Sequence, residues 1–104
     1  MRELQLLRAV EVLARRYDVQ AHHSSQPLWD RAGWPDLALV GTRQTVFREL
    51  KSAAGQLTAE QRETGDRLLR AGLDWAVWRP ADLENGTIEQ QLAALSGKTP
   101  WAAA

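Results

Sequence analysis

The sequence predicts an α/β domain built on a mixed, four-stranded sheet. Three observations carry that expectation. An amphipathic segment opens the chain, two short apolar runs joined by a four-residue link follow it, and a helix then separates the second run from a further apolar one. Runs joined by a short link pair antiparallel as a hairpin, whereas runs separated by a helix form a crossover and pair parallel. At 104 residues the chain has room for one such domain.

The elements follow in order. Glu3 to Tyr17 carries Leu6, Val10, Leu13 and Tyr17 at helical spacing, with Leu7 and Ala14 widening the stripe and Arg8, Glu11, Arg15 and Arg16 on the remaining face. A short strand is expected at Val19 to His23, then a loop from Ser24 to Pro35 that holds Trp29, Gly33 and Trp34. Asp36 to Val40 and Thr45 to Lys51 read as strands flanking Gly41-Thr42-Arg43-Gln44. Thr58-Ala59-Glu60-Gln61 is a capping box that starts a helix running to about Ala71, with Gly72 as its stop. Leu73 to Trp78 is the last strand, broken by Pro80. Thr87-Ile88-Glu89-Gln90 repeats the capping signal ahead of a final helix with Ile88, Leu92 and Leu95. The expected order is α-β-β-β-α-β-α, with residues 1–96 as the domain and 97–104 as a tail.

Composition narrows the function. Zero cysteines exclude disulfide scaffolds and thiolate metal sites. The absence of a long apolar run speaks against a membrane span, and the early charges Glu3, Arg8 and Glu11 against a signal peptide, so a cytoplasmic setting is expected. Thirteen basic and thirteen acidic residues balance, so no global field draws a polyanion.

The hairpin carries the chemistry. Along Thr45 to Lys51, alternation puts Phe47, Glu49 and Lys51 on one face and Val46, Arg48 and Leu50 on the other. If the loop is symmetric about Thr42 and Arg43, paired residue numbers sum to 85 and Asp36 lies opposite Glu49. Directly opposed Cβ atoms are about 4.5–5.5 Å apart, where two carboxylates repel unless a proton or cation joins them. A hard divalent ion such as Mg²⁺ suits that oxygen pair. Lys51, about 7 Å along the same face, adds the positive charge that phosphodiester hydrolysis requires.

These residues carry a family resemblance. Gly33-Trp34-Pro35-Asp36-Leu37 with Glu49-Leu50-Lys51 resembles the PD-(D/E)xK nuclease signature. The stretch from Lys51 to Gln61 and the later Trp78-Arg79-Pro80-Ala81-Asp82-Leu83 are similar to its VRR-NUC branch, of the phage-type, standalone kind. The resemblance implies a restriction-endonuclease-like fold and cleavage of DNA with Mg²⁺ or Mn²⁺. It implies Asp36 and Glu49 as metal ligands, with the Leu50 carbonyl and Glu3 as further ones. Lys51 becomes the catalytic lysine, and Gln61 a catalytic or substrate-contacting residue that is also the third residue of a capping box. A homodimer and a branched, flapped or nicked DNA substrate are the corresponding expectations. The branch's aromatic one turn after Gln61 is missing, with Thr64-Gly65 in its place.

His22 and His23 face opposite sides of their strand, and His23 is the candidate for a phosphate contact, together with Arg43 in the hairpin loop and Arg62 on the second helix. Trp29 and Trp34 could stack on unpaired bases or be buried. Two other functions use the same residues: a nuclease-like module that binds nucleic acid without cutting, and a nuclease directed at RNA.

Overall fold

The computed structural model describes residues 1–24 and 32–100. Helix α1 (Glu3–Arg16) is followed by strands β1 (Gln20–His23), β2 (Leu37–Val40) and β3 (Thr45–Leu50). Helix α2 (Ala59–Arg70), strand β4 (Trp75–Trp78), and helices α3 (Pro80–Glu84) and α4 (Thr87–Leu95) follow among the described residues. The sheet is a mixed four-stranded one in the order β1-β2-β3-β4, antiparallel across its first two pairings and parallel between β3 and β4. The expected α/β class and strand order are therefore borne out, with one added helix.

That helix, α3, sits where the sequence suggested only a strand breaker. Pro80 at its first position loses no hydrogen bond there, and the Asp82 carboxylate accepts from the Arg79 N–H at 2.8 Å. The signal was a Pro followed two residues later by an acid. Its presence also moves the cap of α4: Gly86, at φ 84°, is the N-cap, and the Thr87 N–H donates to Asn85 Oδ1 rather than Thr87 capping the helix itself. The capping box on α2 forms as expected, since Thr58 Oγ1 accepts from the Gln61 N–H. Gly72 turns the chain after α2 at φ 84°, with its own N–H and that of Leu73 donating to the last carbonyls.

The core lies on one side of the sheet. Leu37 and Leu39 of β2 with Val46 and Leu50 of β3 meet Leu6, Leu7, Val10, Ala14 and Tyr17 from α1 and its end, and Ile88, Leu92 and Leu95 from α4. Each such fully buried aliphatic side chain contributes about 1.5–3 kcal/mol relative to exposure. Arg48 lies on this face yet is almost wholly buried. Its guanidinium donates to Asp74 Oδ1 (2.8 Å), the carbonyls of Phe47 and Asp74, and Gln91 Oε1 (3.1 Å), and it stacks 5.2 Å over the Trp78 ring. Gln91 Oε1 also accepts from Trp78 Nε1 (2.9 Å), so one amide oxygen ties the buried cation to the ring beneath it.

Helix α2 covers the other face. A Cβ at Gly65 would stand 2.5 Å from the Trp75 indole, so glycine here lets β4 press its tryptophan onto the helix. The aromatic missing from α2 is thus replaced by one reaching in from the neighbouring strand. At the far end, the hairpin docks on the end of α4: the N–H groups of Arg43 and Gln44 donate to the Leu95 carbonyl, and a Cβ at Gly41 would lie 2.2 Å from that oxygen. No described helix is long and apolar enough to cross a membrane.

Candidate active site

The β2–β3 register pairs Leu37 with Arg48 and Val40 with Thr45. Extended by one position it sets Asp36 opposite Glu49, as the symmetric loop required, and both face the α2 side. Glu49 is 1% exposed and Asp36 is half-buried. The Leu50 N–H donates to Asp36 Oδ2 at 2.8 Å, fixing that carboxylate beside the end of β3.

Gln61 reaches in from the first turn of α2. Its Nε2 donates to Glu49 Oε1 at 3.1 Å, while its Oε1 accepts from the Thr58 N–H at 2.9 Å. The helix cap and the acid are therefore held by the same side chain. A second contact sets this distance: Gly33, at φ 89°, lies so close to the start of α2 that a Cβ would meet the Glu60 carbonyl at 2.4 Å. Asp36 and Gln61 are thereby referenced to each other through Gly33-Trp34-Pro35.

Glu49 Oε2 is buried and has no hydrogen-bond donor among the described residues. Its neighbour is the Asp36 carboxyl, which can share a proton with it but gives nothing when both are ionised. Burial first, then the adjacent Asp36, push the Glu49 carboxyl from 4.5 up to about 9, with Glu3 adding to the rise and Lys51 opposing it. A buried acceptor that carries a charge only at a high cost is the setting a divalent cation relieves.

The peptide oxygens offer a third ligand. Within a strand, the N–H and C=O of one residue point to the same neighbour. The Leu50 N–H points toward Asp36, so the Leu50 carbonyl opens on that side as well. The register places Pro35 opposite Leu50, and proline has no N–H to offer that carbonyl. Among the described residues no three His, Cys, Asp or Glu side chains cluster closely enough to hold an ion. The oxygens available to a cation here would be those of Asp36, Glu49 and the Leu50 carbonyl, a set that suits a hard, largely hydrated ion. Glu3 is exposed on the first turn of α1, where its charge acts on Glu49 without joining the cluster.

Lys51 continues the ladder through its N–H to the Trp78 carbonyl (3.1 Å), which keeps its side chain on the Glu49 face. The other candidates fall elsewhere. His23 pairs with Leu37 and so belongs to the α1 and α4 side; His22, paired with Ala38, is the histidine on the acids' face. The one-residue register decides which, and the sequence did not fix it. Arg43 sits at the opposite end of the hairpin from Asp36, its guanidinium against Gly97 past the end of α4, where a cation complements the helix dipole. Arg62 is exposed on α2 beside Glu63 and Asp66, one position round from Gln61. Trp34 is 40% exposed and meets Phe47 edge-on at 6.0 Å. Trp29 lies outside the described residues.

Sequence reasoning missed Arg79. Its Nη1 donates to the carbonyls of Ser52 and Gly55, each at 2.7 Å, across the turn that follows Lys51. The quoted Trp78-Arg79-Pro80 motif contained it, but no spacing pointed to the turn as its partner.

No family model matches the sequence, and no curated protein does. A solved structure described as a VRR_NUC domain protein superposes on 88% of this chain and 90% of its own, with a TM-score of 0.60 at 21% identity. The mixed sheet with helices on both faces, and the acids at the end of its central hairpin, are therefore set on a fold shared with a VRR_NUC domain protein.

Proposed function

We propose that this chain is a divalent-metal-dependent endonuclease that hydrolyses DNA phosphodiesters, with Mg²⁺ or Mn²⁺ as its cation. The observation that carries the reading is the buried Oε2 of Glu49, without a donor among the described residues, beside Asp36 and with Lys51 on the same face. The likeness to a VRR_NUC domain protein supports it. Asp36 and Glu49, with the Leu50 carbonyl, would hold the cation. When bound, that ion supplies Lewis-acid polarisation of the phosphate and a water of lowered pKa.

The chain's own residues do the rest. Gln61 occupies Glu49 Oε1, which leaves Oε2 for the cation. The Leu50 N–H keeps Asp36 from rotating away. Lys51 places an ammonium where a non-bridging phosphate oxygen gains negative charge in the transition state. Zero net charge provides no global field to draw in a long duplex, so the substrate we propose is a local feature such as a branch, flap or nick.

The test compares wild type, Asp36→Ala and Lys51→Ala on flapped, nicked, branched and linear DNA, and on a matched RNA hairpin, with Mg²⁺ or Mn²⁺ titrated. Metal-dependent cleavage of the DNA by wild type is expected, with both variants much slower but still measurable under single-turnover conditions. Equal cleavage by all three proteins removes these residues from the reaction, and tight binding with no product makes the chain a binding module.

A further inference from the structure

We propose that Arg79 is a positioning residue for Lys51, acting through the turn at residues 52–55; the proposal rests on the reading of Lys51 as the cation that meets the phosphate.

The parallel register between β3 and β4 pairs Glu49 with Val77 and Leu50 with Trp78. One step further, Lys51 stands beside Arg79. The ladder does extend that far, because the Lys51 N–H donates to the Trp78 carbonyl and Arg79 keeps an extended backbone (φ −122°, ψ 166°). Two cations side by side repel. Here the Arg79 guanidinium is turned onto peptide oxygens, both Ser52 and Gly55 carbonyls accepting from the same Nη1 at 2.7 Å. The Gly55 N–H in turn donates to the Ser52 carbonyl (3.2 Å), so one guanidinium pins both ends of a closed turn.

Lys51 rests on that turn. A Cβ at Gly55 would lie 3.5 Å from Lys51 Cδ and 3.0 Å from Ser52 Oγ, so the lysine stem lies alongside Gly55. Arg79 is itself anchored: its N–H donates to Asp82 Oδ2 at the start of α3, and Pro80 behind it is buried. The chain of contacts runs from Asp82 through Arg79 and the turn to the lysine stem, and none of it touches Asp36 or Glu49. Loss of Arg79 therefore loosens the ammonium while leaving the carboxylates in place. A long side chain that must be held to well within an ångström is where such support matters, since a misplacement of that size can cost about 100-fold in rate.

The test uses Arg79→Ala and Arg79→Lys, each alone and with Lys51→Ala. Arg79→Ala is expected to lower kcat on a cleavable DNA by about 10–100-fold, with KM and Mn²⁺ affinity unchanged, and Arg79→Lys to recover part of the loss. The Arg79→Ala/Lys51→Ala protein should cleave no more slowly than Lys51→Ala alone. Losses that multiply in the double variant overturn the proposal. Because the chain has only two lysines, Lys51 and Lys98, ¹³C-lysine labelling reads Lys51 directly. Arg79→Ala should increase the mobility of Lys51 Cε and speed amide exchange at Gly55, and no change in either also overturns the positioning role. Failure of wild type to cleave any DNA overturns the nuclease reading alone, since the two NMR measurements need no activity. If Arg79→Ala does not fold, Arg79→Lys carries the same comparisons.

Discussion

Glu49→Gln is expected to stabilise the metal-free protein, and to do so only at neutral and alkaline pH. The carboxyl ionises near 4.5 when the chain is unfolded and near 9 when Glu49 is buried beside Asp36. Between those values the folded state holds a proton that the unfolded state has lost. Stability therefore falls as pH rises through this window, by up to about 1.4 kcal/mol per pH unit. Carried without relaxation to pH 8, that slope totals about 5 kcal/mol, and water entering the site reduces the realised cost to about 2–3 kcal/mol. Glutamine does not titrate. Its Oε1 can accept from Gln61 Nε2 as Glu49 Oε1 does, and its amide N–H supplies the Asp36 carboxylate with the donor that ionised Glu49 lacks. Urea unfolding in EDTA from pH 5 to 9 should give nearly equal stabilities at the acid end and a growing advantage for Glu49→Gln toward pH 8. Added Mg²⁺ should raise the melting temperature of the wild type and leave the variant unmoved. A pH-independent difference, or a variant less stable at pH 8, would refute the reasoning that the site is an uncompensated acid pair.

Two further substitutions probe how the site is held. Gly33→Ala places a Cβ against the Glu60 carbonyl at a positive φ; it should cost more than about 1 kcal/mol in urea unfolding and weaken Mn²⁺ binding by calorimetry, because the same contact spaces Gln61 from Asp36. Arg48→Ala should destabilise by about 2–4 kcal/mol while Arg48→Met, which keeps the volume, costs less, since Asp74 is half-exposed and is not left as a buried charge.

The hairpin was legible because a short symmetric loop and strict alternation leave one register, and that register alone brings Asp36 to Glu49. Gln61 was legible as a cap, but its second bond depends on how far α2 lies from the sheet, which is set by Gly33 against Glu60 and Gly65 against Trp75. Such close approaches leave no periodic signal. The same holds for Arg79, whose partners are peptide oxygens and carry no residue identity. Arg48 read as an interruption in an apolar face, and only the meeting of Asp74, Gln91 and Trp78 from later elements explains why a cation is tolerated there. His23 and Arg43 show the converse: residue type suggested a phosphate contact, and tertiary placement put one behind the sheet and the other against Gly97.

A crystal grown with Mn²⁺ and measured for anomalous scattering tests the central claim most directly. The account predicts a peak lying about 2–2.5 Å from a carboxylate oxygen of both Asp36 and Glu49, with the Leu50 carbonyl in the same coordination shell. A peak that touches neither acid, or density showing oxygens of the two carboxyls within hydrogen-bond distance and no ion at saturating Mn²⁺, would contradict it.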